Sequence, residues 1–546
     1  MDSNNDGIGD LQGIISKLDY LNNGNHDSLG IDAIWFSPFF ESPDYDYGYD
    51  ISNYREIDPR YGKFSDFMQL LEEAHKRNIK VIVDLVVNHT SHLHPWFLES
   101  RSSRFSPKRG WYIWKDGQGK KNRPPNNWRN HFFGPAWTWD EKTEQYYLHS
   151  FLSEQPDLNW SNPEVREAVG DVIRYWLDFG VDGFRLDVAH HYSKDPIMRN
   201  NPLFFTGWKD SLVKVLLDRT FLAGLMKLFA LPTMQIGKYN QHQPETHEIL
   251  KGFRSIFNEY PGTTSVGEIM GDNAELIASY YGSSNDELHM NFYFEILHLR
   301  WKAAAFRRCI ERWEKALPSG SWPANALSNH DIMRAVSRYN NKRGDKRARL
   351  LMLMLLTLRG TPFIYYGEEI AMKEAKLSRE ELRDPVGLKW YPLHKGRDGC
   401  RTPMQWNGGK YAGFSKSEPW LPVGPDIKSY NVREMESDLQ SLLSFTKKLI
   451  WMRKGLPALL EGEYKSLIDK ASGRHCYYYL RETGDQKLLI CLNFSLRRQE
   501  IYMPGRNAVG RVLISTLYDR DLKPAITNPF VLEGLEGCIL KLQTGK

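Results

Sequence analysis

Four apolar runs in this chain each carry acidic or imidazole side chains at or near their C-terminal ends. IKVIVDLVVNH (79–89) holds Asp84 and ends on His89, and GVDGFRLD (180–187) ends on Asp187, two residues after Arg185. TTSVGEI (263–269) holds Glu268, and ANALSNHD (324–331) ends on His330 and Asp331. Two carboxylic acids facing one bond are the equipment of glycoside hydrolysis, one as proton donor and the other as nucleophile or base. Carboxylates that converge on one mouth repel. At least one pKa should therefore rise, leaving a protonated acid beside an ionised partner.

Such convergence needs strands that deliver their ends to one place. The four runs, with IDAIWFSP (31–38) and GTPFIYYGEEI (360–370), are too continuously apolar for a one-sided sheet, so they read as strands buried on both faces. Between them lie stretches of helical period, such as FSDFMQLLEEAHKRN, where Phe64, Phe67, Leu70, Leu71 and Ala74 form one stripe. Strands alternating with helices over this length predict an α/β fold, a (β/α)8 TIM barrel, whose functional groups gather at the C-terminal ends of its strands.

The rhythm breaks twice. From Thr90 to Asn159 the chain is rich in Trp, Pro, Asn and Gly and lacks helical period, which predicts an inserted subdomain over 90–159. Beyond Gly455 short alternating runs such as HCYYYLRE and KLLICLNFS predict an antiparallel β-sandwich domain over 455–546. The barrel then comprises 1–89 and 160–454. One stretch fits none of this: Phe204 to Lys238 contains FLAGLMKLFALPTM with little polar punctuation. It reads as an inserted lid, as a helix packed on the barrel, or as an error in the sequence.

Composition narrows the classes. The net charge of 72 − 67 = +5 is too weak for a nucleic-acid or membrane-surface protein. The five cysteines are scattered and form no CxxC pair, which favours a reducing, cytoplasmic location over a disulfide framework. The N-terminus MDSNNDGIGD is too polar for a signal peptide. LLMLMLLTL (350–358) is far shorter than the about 20 residues that span a bilayer, and reads as a buried helix.

DLVVNH (84–89), GFRLD (183–187), VGEI (266–269) and LSNHD (327–331) resemble, in order, four signature strands of the α-amylase superfamily. QPDLN (155–159) and GRDGCRTPMQW (396–406) are similar to its oligo-1,6-glucosidase and α-glucosidase branch. The resemblance implies a retaining exo-α-glucosidase acting on terminal α-1,4 or α-1,6 bonds of short oligosaccharides, or alternatively a glucosyl transferase or isomerase acting on sucrose, maltose or trehalose. It implies that Asp187 is the nucleophile, Glu268 the acid/base and Asp331 the third carboxylate, on the sugar 2- and 3-hydroxyls. Arg185 would hold Asp187 ionised, and His89 and His330 would donate to hydroxyls. From YDYGYDI (45–51), Asp46 would grip the far end of the glucose and Tyr49 would stack on it. Phe151 would add an apolar wall. Arg401 would face the leaving group or close a structural salt bridge. Val188, next to the implied nucleophile, resembles the α-1,6-accepting members.

DSNNDGIGD (2–10) offers oxygens from Asp2, Asn4, Asp6 and Asp10 at a spacing that suits a hard cation. An EF-hand count from Asp2 puts Gly13 where the bidentate Glu should stand, so this is no EF-hand. The family resemblance implies structural Ca2+ here, with the Ile8 carbonyl as a further ligand, and no organic cofactor. The expected partner is a small oligosaccharide, and the expected state a monomer or weak homo-oligomer. Two departures from the family are expected to matter. The chain starts at the metal loop, after the place of the barrel's first strand, so that strand is expected to be missing. The separation 268 − 187 = 81 is also long, the excess falling in the 204–238 stretch.

Overall fold

The computed structural model describes residues 1–543 apart from 133, 204–234, 272, 340–343, 468–473, 506–507 and 518–524. Most of the irregular 204–238 stretch thus lies outside the described residues. The chain folds as a (β/α)8-type barrel with a C-terminal antiparallel β domain. Seven parallel barrel strands are described: β1 (Ala33–Phe36), β2 (Lys80–Leu85), β3 (Gly183–Leu186), β4 (Thr264–Gly267), β5 (Met290–Asn291), β6 (Ala324–Ala326) and β7 (Thr361–Phe363). They pair in chain order, β1 with β2 (Ala33 opposite Lys80), β2 with β3 (Ile82 opposite Gly183) and β3 with β4 (Gly183 opposite Thr264). A parallel bridge from Phe292 to Ala324 carries the order from β5 to β6. β1 and β7 stand at its two ends and do not pair with each other among the described residues. Gly183 is required where β3 meets β4, because a Cβ there would sit 2.2 Å from the Thr264 carbonyl oxygen.

The helices cover the strands with the stripes their sequences carry. In α1 (Phe64–Lys76), Phe67, Leu70, Leu71 and Ala74 are buried. α2 (Pro163–Asp178) starts on an Asn162 side-chain cap with proline in its first turn, and buries Val165, Val169, Ile173 and Trp176. The apolar run expected to be a buried helix lies in α3 (Gly344–Thr357). Leu350 to Leu356 are all buried, because the barrel lies on one side of the helix and the C-terminal domain on the other.

That domain is a six-stranded antiparallel sheet facing a short pair, Gln499–Ile501 with Phe530–Leu532. Alternation along Cys476–Thr483 decides which side chain meets which layer. Tyr477 and Tyr479 join the core shared with α3 and the barrel, while Cys476, Tyr478 and Leu480 pack toward the short pair. Arg481 is fully buried against the end of α3 and donates to the carbonyls of Thr357, Leu459 and Gly462. These charge-assisted bonds cap carbonyls that the helix terminus leaves unpaired. All five cysteines are buried and unbridged. No helix of the described residues is long and apolar enough to cross a membrane.

Between β2 and α2 the chain leaves the barrel. It forms helix Pro95–Ser102 and a three-stranded sheet of Trp114–Lys115, Gln145–Leu148 and Trp137–Asp140, around a small core of Ile113, Trp128, Trp137 and Leu148. A buried ion pair, Lys194 Nζ to Asp157 Oδ2 at 3.0 Å, and a bond from the same Nζ to Asn88 Oδ1 at 3.0 Å hold this segment on the barrel mouth.

Candidate active site

The parallel ladder sets the site. Asp187 follows β3, and its N–H reaches the Leu85 carbonyl at 3.1 Å; Glu268 follows β4, and its N–H reaches the Leu186 carbonyl at 3.0 Å. Successive strands thus present successive acids at one level. Arg185, one pleat back on β3, is buried beneath them. Its Nη1 lies 2.6 Å from Asp187 Oδ1 and 3.0 Å from Asp84 Oδ1, and its Nη2 lies 2.5 Å from Glu268 Oε2. One guanidinium therefore gathers three carboxylates from three strands. The ring of Trp35 on β1 flanks it, 5.2 Å from centroid to Arg185 Cζ.

The electrostatics follow from this crowding. Burial pushes the Asp187 carboxyl well above the usual carboxylate range; Arg185 opposes this, while Glu268 and Asp84 reinforce it. Both carboxyls lie on the same guanidinium, so the charge of one raises the cost of ionising the other. Burial likewise raises Asp84 to about 6, against the pull of Arg185. Burial would raise Asp331 as well, but His330, Arg397 and Arg401 outweigh it and hold this carboxyl well below the usual range.

Asp331 belongs to a second cluster joined to the first through Tyr49. The Tyr49 hydroxyl is 2.7 Å from His330 Nε2 and donates to Asp84 Oδ2 at 3.3 Å, and its ring lies over that of His330 at 5.7 Å. His330 Nε2 is 3.4 Å from Asp331 Oδ2. Arg401 donates to the His330 carbonyl at 2.8 Å and pairs with Asp331 Oδ1 at 2.9 Å. Burial lowers the His330 pKa to about 3, so its ring is neutral at pH 7.

Asp46 closes one end. Its Oδ1 pairs with Arg397 Nη2 at 2.9 Å, and its Oδ2 accepts from Gln155 at 3.3 Å. Arg397 also reaches Asp331 at 3.3 Å and Asp384 at 3.1 Å, so one side chain ties three acids together. The buried Asp50 carboxylate accepts from the backbone N–H groups of Tyr45 and Asp46 and fixes that loop. Asn88 Nδ2 lies 3.1 Å from His89 Nδ1, and His89 Nε2 lies 3.0 Å from the Tyr49 carbonyl. Nδ1 is then the acceptor and Nε2–H the donor, so the His89 proton is directed at backbone. Phe151 packs beside His89 at 5.1 Å.

Val188 adopts left-handed φ 35°, ψ 44°, and its N–H donates to Glu268 Oε2 at 3.3 Å. A β-branched residue in that region is strained by about 1–3 kcal/mol. The strain sits on the residue that links Asp187 to the next turn.

Asp187, Glu268, Asp331, Arg185, Tyr49, His330, Arg401, Asp46, His89 and Phe151 are thus joined through contacts in one mouth. Asp84, Gln155, Arg397 and Asp384 belong to it as well. Gln155 and Arg397 stood in QPDLN and GRDGCRTPMQW, but nothing in those strings shows that both converge on Asp46.

The acidic loop lies elsewhere, against the segment around Phe414 to Trp420: Asp2 N–H donates to the Phe414 carbonyl at 3.0 Å, and Trp420 N–H to the Gly7 carbonyl at 2.9 Å. Asp2 accepts from the N–H groups of Asn5 and Gly7, Asp6 from Ile8, and Asp10 from Ser3 and Gly13. Asn4 donates to Asp6 at 2.9 Å. Among the described residues no group of three or more His, Cys, Asp or Glu side chains forms a metal cluster. The loop's donors are nonetheless all oxygens, and each bonded carboxylate keeps spare lone pairs for a hard cation.

Comparison with known proteins agrees with this architecture. The family described as alpha amylase, catalytic domain, matches residues 1–462. A probable alpha-glucosidase of Rhizobium meliloti is 40% identical over 529 residues, spanning 96% of this chain and 92% of the relative. An oligo-1,6-glucosidase of Parageobacillus thermoglucosidasius is 38% identical, spanning 92% and 89%. The crystal structure of an alpha-glucosyl transfer enzyme, XgtA, superposes with a TM-score of 0.88 at 38% identity, covering 100% of this chain and 97% of that one. With an acid-lined mouth at the strand ends and likeness over nearly its whole length, the chain belongs to the α-amylase family of glycoside hydrolases.

Proposed function

We propose that this protein is a retaining exo-α-glucosidase that removes the terminal glucosyl unit of short α-1,4- or α-1,6-linked oligosaccharides. The observation that supports it most is Arg185 holding Asp187 and Glu268 on adjacent nitrogens, since a retaining enzyme needs its two carboxyls close together rather than separated by a water. In this reading a glucosyl ring enters between them. Asp187 attacks the anomeric carbon while the bond to the leaving oxygen breaks and Glu268 protonates that oxygen. Water, deprotonated by Glu268, then attacks the same carbon and releases Asp187. For this step Arg185, which pairs with Asp187 at 2.6 Å, stabilises the ionised nucleophile, while Glu268 supplies the proton. Asp331, kept anionic by its cations, binds the 2- and 3-hydroxyls. The Asp46–Arg397 pair closes the far end, which supports action at chain ends.

Likeness to an alpha-glucosyl transfer enzyme favours a second reading, in which a sugar hydroxyl replaces water as acceptor. Incubation with concentrated maltose, isomaltose, sucrose and trehalose, with products quantified, separates the two. Free glucose should dominate; mainly new disaccharide would establish transfer instead.

The pH profile offers another check. Below about pH 6 Asp84 is protonated and no longer an anionic partner of Arg185, and burial raises the Asp187 carboxyl in the same direction, so kcat/KM should fall as pH drops through about 6. Stability responds in the opposite sense. A carboxyl whose folded pKa is raised stabilises the fold fully below its unfolded pKa, near 4, and that contribution is lost as pH rises through about 6. An acid limb near pH 4 would contradict this account.

The Asp2, Asn4, Asp6, Ile8 and Asp10 loop is proposed as a structural Ca2+ site, supported by its all-oxygen donor set. Chelation should lower the melting temperature, and added Ca2+ should restore it; an unchanged melting curve would assign the loop to its backbone bonds alone.

A further inference from the structure

His131 lies in the inserted subdomain, and His191 in the turn that follows Asp187 and Val188. Their Nε2 atoms are 3.0 Å apart, with ring planes at 74°. One Nε2 must donate and the other accept, so in a neutral pair the two rings are opposite tautomers. Burial holds the His191 pKa well below its usual value, so that ring is neutral. His191 is fully buried, and its Nδ1 has no hydrogen-bond partner among the described residues. Such an atom is costly, and an apolar ring would fill the same space without it. Packing alone therefore does not account for His191; its bond to His131 does.

His131 is exposed to solvent. One face lies on Phe151 at 4.8 Å and 14°, and Phe151 also meets the rings of His89 at 5.1 Å, His191 at 6.2 Å and Phe132 at 6.5 Å. The order across the mouth is therefore His89, Phe151, His131. His89 belongs to the closed end, next to Gln155 and Asp46. At the opposite end of the row, the turn bearing His191 reaches the acid strand, where His190 Nδ1 lies 3.4 Å from the Glu268 carbonyl oxygen. His131 thus stands exposed on Phe151, against the turn that reaches the strand end carrying Glu268.

We propose that His131 contacts the leaving-group sugar and sets specificity for it, its Nδ1 edge meeting a hydroxyl, and that His191 is the positioning residue that fixes the ring. This rests on the glucosidase reading above. The test compares two substrates: α-glucosyl fluoride, whose leaving group has no hydroxyl, and whichever of maltose, isomaltose and sucrose the wild type cleaves fastest. His131→Ala should lower kcat/KM for the disaccharide about tenfold, the value of one hydrogen bond, and leave the fluoride within about twofold. His131→Gln, which keeps a donor and an acceptor, should recover part of the loss. His191→Phe, which keeps the ring volume, should show the same selectivity at smaller size. Equal losses on both substrates would overturn the proposal and make His131 a support for Phe151; no loss on either would overturn it too. A wild type that cleaves neither substrate would remove the glucosidase reading, and this inference with it.

Discussion

Replacing Asp187 with Asn is expected to lower kcat by about 10⁴-fold or more on every glucoside, because in the proposed mechanism it removes the nucleophile that attacks the anomeric carbon. The fold should survive. Asp187 is buried beside Glu268 and Asp84, and both raise its pKa by repulsion. A neutral amide of equal size relieves that repulsion, and Arg185 keeps two carboxylates. The melting temperature at pH 7 should therefore hold or rise slightly while turnover disappears. The check is single-turnover kinetics with α-glucosyl fluoride alongside a thermal melt. Substantial residual turnover in a folded variant would show that Asp187 is not the nucleophile.

Glu268→Gln is expected to divide substrates by leaving group. A general acid contributes about 10²–10⁴-fold where the departing oxygen needs a proton, and little where it does not. Maltose hydrolysis should fall by that amount, while the first step with α-glucosyl fluoride, whose leaving group needs little protonation, should stay within about tenfold of wild type. Equal loss on both substrates would deny Glu268 the role of acid.

Much of the fold was legible before any coordinates. The helical stripe of α1 and the strand-end placement of Asp187 and Glu268 follow from period and position, because burying a two-sided strand demands a continuous apolar run that ends where the chain meets solvent. The burial of α3 on all sides was equally plain from its run of leucines and methionines. Other residues were opaque. Arg334 opens a basic stretch that reads as a solvated face, yet it is fully buried and donates to the carbonyls of Tyr366 and Cys400, shaping the loop that carries Arg397 and Arg401. A guanidinium that caps carbonyls leaves no periodic trace, since its partners lie 32 and 66 residues away.

The sequence alone therefore determined the strand–helix alternation, the family resemblance and the identity of the acids at the mouth, all of which are written in local period and short motifs. Only the tertiary structure decided which acid answers to which cation. It joined Arg185 to three strands, Arg397 to Asp46, Asp331 and Asp384, and His131 to His191 across 60 residues of chain. Charge and hydrogen-bond energies depend on distance and burial rather than on separation along the chain, so these pairings came into view only once the strands had closed around them.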